Sequence, residues 1–200
     1  MNRSLVYASA GNRPLRSTPY IRQSILARAC LALATAAICF AAAGCSDPTA
    51  TGLVGRPAPD FTLQTLDGRS VTLSDFKDNV VVLDFWATWC SPCLMELPVL
   101  ERVRQRFRDK RVQFLAVSVD SPRTPNEVIG GTLQRLGVNI PALHDRDGVV
   151  SRLYRQEGIP MLVLVDASGI VQSVHVGYGP GTETEVTREL DSLLANRSLL

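Results

Sequence analysis

The sequence predicts an α/β sandwich with a mixed central sheet, and three observations lead to that prediction. Three apolar runs are continuous enough to be strands covered on both faces, at 80–86, 112–119 and 161–165. Segments with the period of an amphipathic helix separate them. The last run passes through a turn-like link at 166–169 into a further extended segment, which predicts an antiparallel hairpin. Alternating strands and helices that end in a hairpin and a helix indicate a sheet of mixed direction.

The other elements follow from local polarity and turn residues. Two short segments of alternating polarity flank the turn signal Asp67-Gly68 and predict a hairpin before the first buried strand. Pro98 lies inside the first long helix and is expected to kink it. The predicted elements are hairpin strands at 61–63 and 70–73, a helical turn at 74–76, helices at about 94–107, 126–136, 149–155 and 183–194, an extended piece at 141–143, and the last strand at 170–176. Four arginines of the first helix are expected on its solvated side: Arg102, Arg104, Arg106 and Arg108.

The N-terminal segment has the layout of a secretory signal. Residues 29–43 are uncharged and almost entirely apolar, arginines precede them, and Cys45 follows. An apolar stretch of about 15 residues is short for a membrane-spanning helix, which needs roughly 20. The small residues before Cys45 resemble a bacterial lipobox, with Ala42 where leucine is commonest, so lipidation of Cys45 is predicted. The alternatives are an ordinary signal peptide cut nearby and a retained signal anchor, and all three place the domain outside the cytoplasm.

The domain layout has a signal peptide at 1–44, a tether at 45–58 rich in Thr, Gly and Pro, and one domain at 59–200. The formal charge of +2 is misleading, because the signal contains five arginines and no acid. Subtracting these five from the 21 basic residues leaves 16 against 19 acidic ones, a charge of −3. Nucleic-acid binding is excluded as a function, because no basic excess remains to neutralise phosphates.

Two cysteines separated by two residues, Cys90 and Cys93, follow the first buried strand and open a helix. This spacing puts one sulfur at the helix start and the other within the first turn, close enough for a disulfide. Cys30 and Cys39 leave with the signal and Cys45 takes lipid, so only this pair remains in the mature chain. A bridge over so few residues closes no long loop and stabilises a fold little. The pair therefore predicts redox chemistry.

The two sulfurs are expected to have different roles. Attack on a disulfide needs a thiolate, and a helix start stabilises one through unpaired N–H groups and the positive end of the dipole. Cys90 is therefore expected to be the exposed nucleophile and Cys93 the resolving sulfur, with Pro92 stiffening the loop between them. Half of a zinc site is one alternative, but there is no second cysteine pair, and His144 and His175 lack ligand spacing. No metal or cofactor is predicted, and both histidines are expected on the surface or on edge strands.

The segment 80–93, with Glu96 and Pro98 after it, resembles the extracytoplasmic thioredoxin-like thiol–disulfide oxidoreductases of the TlpA/ResA kind, which belong with the redoxins. The resemblance includes the leading segment 56–61 and residues 158–160 before the third buried strand. It implies a thioredoxin-like three-layer sandwich with an N-terminal β-hairpin extension and a central helical insertion.

The resemblance also implies how substrates meet the cysteines. A proline at the position of Pro160 has a cis peptide bond in this fold and packs beside the active pair, and the backbone of Ile159 pairs with an incoming substrate strand. Trp89 is expected on the surface in contact with partners, and Trp86 in the core. Met161 stands where the family commonly has threonine, which is expected to make the substrate groove more apolar.

Two acidic residues, Asp84 and Glu96, are expected to serve the cysteines. Asp84 lies within an apolar strand, where an unpaired charge is costly, so burial and a raised pKa are expected. Glu96 lies one turn after Cys93, on the same helix face. By resemblance, Asp84 matches the buried aspartate of thioredoxins and Glu96 a glutamate of the TlpA/ResA group, both associated with proton transfer to the resolving cysteine. The alternatives are a structural hydrogen-bonding acid for Asp84 and a helix-surface acid for Glu96.

Together these observations predict a membrane-tethered thiol–disulfide oxidoreductase on the periplasmic side. It is expected to reduce disulfides in envelope proteins, such as cytochrome c or copper-site maturation clients. The expected partners are these disulfide-bearing proteins, a membrane electron-donor thiol–disulfide transporter, and the membrane itself through the lipid anchor. One alternative is a thiol peroxidase of peroxiredoxin type, because the segment from Arg56 onward is shared with that family. The other is a non-enzymatic lipoprotein that handles Cu(I) through Cys90 and Cys93.

Overall fold

The computed structural model describes residues 50–197 of the 200-residue chain, which form seven strands and four α-helices. The predicted signal peptide and Cys45 lie outside the described residues. The strands are β1 (Thr62–Gln64), β2 (Ser70–Thr72), β3 (Val80–Trp86), β4 (Val112–Ser118), β5 (Ala142–His144), β6 (Met161–Val165) and β7 (Val171–Val176). The helices are α1 (Ser91–Arg106), α2 (Asn126–Arg135), α3 (Val149–Leu153) and α4 (Thr182–Arg197), and short 3-10 turns lie at Ala50–Leu53 and Leu73–Phe76. No helix within this range is long and apolar enough to cross a bilayer.

Five strands form the central sheet in the order β5-β4-β3-β6-β7. The strands β3, β4 and β5 are parallel to one another, whereas β6 runs antiparallel to both β3 and β7. The prediction of a mixed sheet that ends in a hairpin is therefore confirmed. The hairpin β1–β2 forms its own small sheet, also as predicted. All seven residues of β3 are buried, because this strand lies at the centre of the sheet and is covered on both faces.

Alternate side chains of β3 contribute to two hydrophobic clusters, one on each face of the sheet. The side chains that pack with α1, α2 and α4 are Val80, Val82 and Trp86, and those that pack on the opposite face are Val81, Leu83 and Phe85. The opposite face is covered by α3, by Tyr154 directly after it, and by residues that flank the hairpin, including Phe61 and Leu73. These are the three predicted layers, and the segment between β4 and β6 is the predicted helical insertion. By the same alternation, Asp84 lies on the face that α1 covers.

The first helix starts earlier than predicted. It begins at Ser91, because Cys90 caps it and Pro92 fits the first turn, where no helical hydrogen bond from its nitrogen is needed. The third helix, in contrast, ends earlier, at Leu153. Arg155 has a φ of 50°, in the left-handed region, which a continuing helix does not allow.

The described part of the predicted tether, residues 50–58, is packed against the domain. Leu53 is buried in the second cluster, and the Gly55 N–H donates to the Val171 carbonyl at 2.8 Å. The predicted domain boundary therefore lies too late in the sequence, because Leu53 already packs in the core and residues 55–58 hydrogen-bond to β7 and the turn before it.

Candidate active site

The two cysteines lie where β3 ends and α1 begins, at the carboxyl end of the central strand. The strand ends at Trp86, and Cys90 is the N-cap of α1. The Cys93 N–H donates to Cys90 Sγ at 3.3 Å. The two sulfurs are joined by a disulfide, with their Cα atoms 5.3 Å apart. The pair thus occupies the end of α1 at which negative charge is favoured.

The buried Asp120 fixes the loop that leads into Cys90. It accepts hydrogen bonds from the Thr88 N–H at 3.0 Å, from the Thr88 hydroxyl at 2.6 Å and from the Ser118 hydroxyl at 2.8 Å. Asp120 follows β4, which is parallel to β3, so both strands end at the same edge of the sheet. The sequence reasoning missed this residue, although an acid just after a buried strand at this edge was a usable signal.

Both cysteines are buried in this disulfide form. Cys93 has no exposed surface and Cys90 has 5%, because both belong to the hydrophobic cluster that contains Ala87 and Leu97. The expectation of an exposed Cys90 is therefore wrong for the oxidised protein. Cys90 is only the more exposed of the two cysteines. Trp89, in contrast, is 68% exposed and lies on the surface, where it was expected.

A cis-proline lies at the same edge of the sheet. The Ile159–Pro160 peptide bond is cis, as the family resemblance implies. The next residue, Met161, pairs with Phe85 near the end of β3, which brings Pro160 to the end of the sheet where the disulfide lies. The Pro160 carbonyl accepts a hydrogen bond from the Gly177 N–H at 2.8 Å, so the segment is tied to the end of β7.

The expectation for Met161 is wrong. Its side chain is fully buried in the cluster that contains Phe85 and Tyr154, on the sheet face away from α1. It therefore fills the core and does not line a groove beside the cysteines. Alternation along β6 gives the reason, since the side chain after Pro160 points to the opposite face.

Asp84 is a buried carboxyl group without a partner. It is 2% exposed, and neither oxygen has a hydrogen-bond partner among the described residues. Loss of hydration on burial raises the pKa of Asp84 to about 8. The alternative of a structural hydrogen-bonding acid therefore has no support among the contacts of the described chain.

Glu96 is also buried, which excludes the helix-surface alternative. It is 1% exposed, and both of its carboxyl oxygens lack a hydrogen-bond partner within the described chain. Burial, followed by the charge of Asp84, raises the pKa of Glu96 to about 9. Its side chain lines a cavity of about 360 Å³ bordered by the end of β7 and the start of α4. Two buried carboxyl groups with raised pKa values thus lie on the side of the sheet that carries α1 and the cysteine pair.

A second buried acid on α1, Glu101, has a pKa shifted in the opposite direction. It accepts hydrogen bonds from Arg104 at 2.6 and 3.1 Å, from the Gln105 side chain at 3.0 Å and from the Asn139 N–H at 2.9 Å. Burial alone would raise the pKa of Glu101, but these bonds outweigh it and lower the pKa. The pairing leaves Arg104 only partly exposed, whereas the other arginines predicted on the solvated side are exposed: Arg102, Arg106 and Arg108.

The disulfide at a helix start, the cis-proline at the same sheet edge and the two unpartnered acids define a class of site. They form a thiol–disulfide exchange centre on a thioredoxin-like fold. The chain belongs to the AhpC/TSA family, whose sequence profile matches residues 54–174.

The chain is similar to proteins with this chemistry. It is 34% identical over 137 residues to the thioredoxin-like protein YneN of Bacillus subtilis, a match that covers 68% of this chain and 79% of the relative. It is 34% identical over 140 residues to the thiol-disulfide oxidoreductase ResA of Geobacillus kaustophilus, covering 70% and 78%. Among solved structures, a putative thiol:disulfide interchange protein DsbE from Chlorobium tepidum superposes with a TM-score of 0.65 at 33% identity, covering 70% of this chain and 97% of that one.

These comparisons confirm the predicted resemblance, the thioredoxin-like fold and the enzyme class. The protein is a thiol–disulfide oxidoreductase. The two histidines lie on the edge strands of the sheet, as predicted, with His144 on β5 and His175 on β7.

Proposed function

We propose that the protein is a membrane-tethered reductant of disulfides in envelope proteins, with Cys90 as the attacking sulfur and Cys93 as the resolving one. The reduced Cys90 thiolate attacks a substrate disulfide, forms a mixed disulfide and releases one substrate thiolate. The Cys93 thiolate then attacks Cys90 Sγ, which restores the Cys90–Cys93 bond and releases the second substrate thiolate. Two electrons pass to the substrate, and its thiolates take up two protons. A membrane thiol–disulfide electron donor returns two electrons to the oxidised pair.

The assignment of roles is supported by the different surroundings of the two sulfurs. Cys90 is the N-cap residue of α1 and keeps the only exposed surface of the pair. Its sulfur already accepts the Cys93 N–H, a bond that strengthens when the acceptor is a thiolate. Cys93 is fully buried and forms its disulfide with Cys90, so Cys90 Sγ is the sulfur that it attacks, and not a substrate sulfur from solution.

Asp84 and Glu96 are proposed to carry protons for Cys93. The observation that supports this proposal is that both carboxyl groups are buried, lack hydrogen-bond partners in the described chain and have raised pKa values. Glu96 lies one helical turn after Cys93, and Asp84 lies on the β3 face that α1 covers. A carboxyl group with a pKa near that of a thiol exchanges a proton with it at little cost.

The proposed direction, reduction of the substrate, rests on electrostatics. A dithiol centre becomes an oxidant when its reduced, thiolate form is stabilised. Here, the helix start favours the Cys90 thiolate, but the buried acids Asp84 and Glu96 supply no positive charge that would stabilise a thiolate further. We expect the Cys90–Cys93 couple to have a potential near that of thioredoxin, about −270 mV, as measured by equilibration with glutathione or dithiothreitol. A value near that of DsbA, about −120 mV, would contradict the proposal.

The proposed clients are disulfide-bearing envelope proteins, such as cytochrome c or copper-site maturation clients. Trp89, which precedes Cys90, and Ile159, which precedes the cis-proline, line an open groove of about 570 Å³ that supplies apolar contact area. The extracytoplasmic location and lipid anchor at Cys45 are proposed from the signal-like residues 1–44. The Cys45→Ser variant should move from the membrane fraction to the soluble fraction if lipid anchors the chain.

One trapping experiment tests the proposed roles and clients together. The Cys93→Ser variant, expressed in cells, is expected to accumulate mixed disulfides through Cys90, which mass spectrometry can identify after non-reducing purification. The double variant Cys90→Ser/Cys93→Ser is the matched control and should trap nothing. Trapping by Cys90→Ser instead of Cys93→Ser would reverse the roles, and trapping by neither would overturn the proposal.

A further inference from the structure

A second cluster of polar side chains lies where β7 meets α4. It consists of His175 from β7 with Glu185 and Glu189 from α4. One ligand-capable atom from each residue lies within 4.8 Å of the other two. His175 Nε2 and Glu189 Oε2 are 3.1 Å apart. None of these side chains belongs to the disulfide exchange centre.

The local structure explains why these three side chains converge. Glu185 and Glu189 are four residues apart in α4, which places both on one face of the helix. Ser173 and His175 are two residues apart in β7, so their side chains share one face of the sheet. The Ser173 hydroxyl donates to Glu189 Oε2 at 2.6 Å and thereby orients that carboxylate toward His175. Such an outer partner is typical of carboxylates that bind a metal.

The cavity beside this cluster provides an independent observation. Its walls include His175, Glu185 and Glu96, and its volume is about 360 Å³. The Glu96 carboxyl group is 1% exposed and has no hydrogen-bond partner in the described chain. The residues that line the cavity include an imidazole and two carboxyl groups, so its walls suit water and a cation better than an apolar ligand.

We propose that His175, Glu185 and Glu189 bind one divalent transition-metal ion of the zinc class. One imidazole nitrogen and two carboxylate oxygens are ligand types that Zn²⁺ accepts, and three protein ligands leave one position for water from the cavity. The imidazole disfavours Mg²⁺ and Ca²⁺, and the absence of sulfur from this set disfavours Cu(I). Charge also favours a cation here, because Glu185 forms no salt bridge in the described part of the chain. Arg102 does not neutralise Glu185, since it is paired with Glu183 on the same helix.

The test uses the full-length chain in detergent, with the Cys90–Cys93 disulfide intact and every other thiol alkylated, so that sulfur cannot bind the metal. Zn²⁺ is titrated against a chromophoric chelator, and bound metal is counted after dialysis. We expect one Zn²⁺ per chain. The variants His175→Gln and Glu189→Gln should each weaken binding by at least about tenfold, the smallest loss typical of damage to a metal site.

Two control variants separate this site from general metal uptake. Glu183→Gln removes a carboxylate from the same helix that is engaged by Arg102, and His144→Gln removes the other histidine of the chain. Both should bind Zn²⁺ as the unaltered chain does. Absence of stoichiometric binding, equal binding by His175→Gln, or an equal loss in the two controls would overturn the proposal.

A last variant keeps the test decisive even if changes at His175 or Glu189 disturb folding. Glu185 is exposed on α4, so Glu185→Gln leaves the core untouched. It should also weaken Zn²⁺ binding by about tenfold or more. Zn²⁺ should raise the thermal unfolding temperature of the unaltered chain and raise it less in Glu185→Gln. An identical shift in both proteins would remove Glu185 from the ligand set and refute the proposed site.

Discussion

Two buried acids on the same helix, Glu96 and Glu101, differ in their hydrogen-bond partners and in the direction of their pKa shifts. Glu96 has no hydrogen-bond partner in the described chain, and its pKa is raised to about 9. Glu101 binds Arg104, Gln105 and the Asn139 N–H, and its pKa is lowered. Burial alone therefore does not make an acid a proton carrier. Partners decide whether a buried carboxyl group stays ionised and structural or stays neutral and able to exchange a proton.

The largest expected effect is on the rate of disulfide exchange. Asp84→Asn and Glu96→Gln should each slow resolution of a Cys90 mixed disulfide at pH 7 by about 100-fold, the lower range for loss of a general acid or base. Stopped-flow release of a reduced model substrate measures this rate. Glu101→Gln is the matched control, because it makes the same chemical change on the same helix, and its rate should be unchanged. Unchanged rates in both test variants would remove these acids from the mechanism.

For stability the order of the variants should be reversed, with the larger loss in Glu101→Gln. Glu101→Gln leaves Arg104 without its charged partner and weakens the bond to Asn139, so we expect it to lower the free energy of unfolding by about 2 kcal/mol. Chemical denaturation of the disulfide form at pH 7 measures the change. Glu96→Gln replaces a neutral acid by a neutral amide of similar shape and should not lower stability. Equal losses in the two variants would mean that the contrast between these acids is wrong.

The sequence anticipated this contrast only in part. Asp84 was predicted to be buried because it interrupts a strand whose other residues are all apolar. Spacing placed Glu96 on the face of Cys93, but periodicity does not say which surface covers that face. The hydrogen bond between Glu101 and Asn139 could not be predicted from local patterns, because Asn139 comes from a loop 38 residues away. The burial of Cys90 depends on packing of distant segments, which local patterns do not encode.

The contributions of Glu96 and Glu101 to the free energy of unfolding should change with pH in opposite directions. Glu96 has a folded-state pKa raised above its unfolded value, so the folded chain keeps a proton that the unfolded chain loses, and stability falls as pH rises from 4.5 to about 9. Glu96→Gln removes this loss and should be at least about 1 kcal/mol more stable than the unaltered chain at pH 8, but nearly equal to it at about pH 4.

Glu101 should show the reverse dependence. Its folded-state pKa is lowered, so its stabilising contribution is present above the unfolded pKa and is lost as pH falls through the folded value. The difference between the unaltered chain and Glu101→Gln should therefore shrink in acid. Denaturation curves from pH 4 to 9 measure both trends, and parallel curves for all three proteins would refute them.

The smallest expected effect concerns Asp120, the buried acid that fixes the loop before Cys90. Thr88→Val removes the hydroxyl that donates to this carboxylate at 2.6 Å but leaves the bonds from the Thr88 N–H and from Ser118. Because two donors remain, the loss should be about 1 kcal/mol in the free energy of unfolding, and Thr88→Ser should recover most of it. Asp120 thus resembles Glu101 in that its hydrogen-bond donors hold a segment in place. If Thr88→Val slowed resolution as much as Glu96→Gln without a matching loss of stability, Asp120 would belong with the proton-exchanging acids instead.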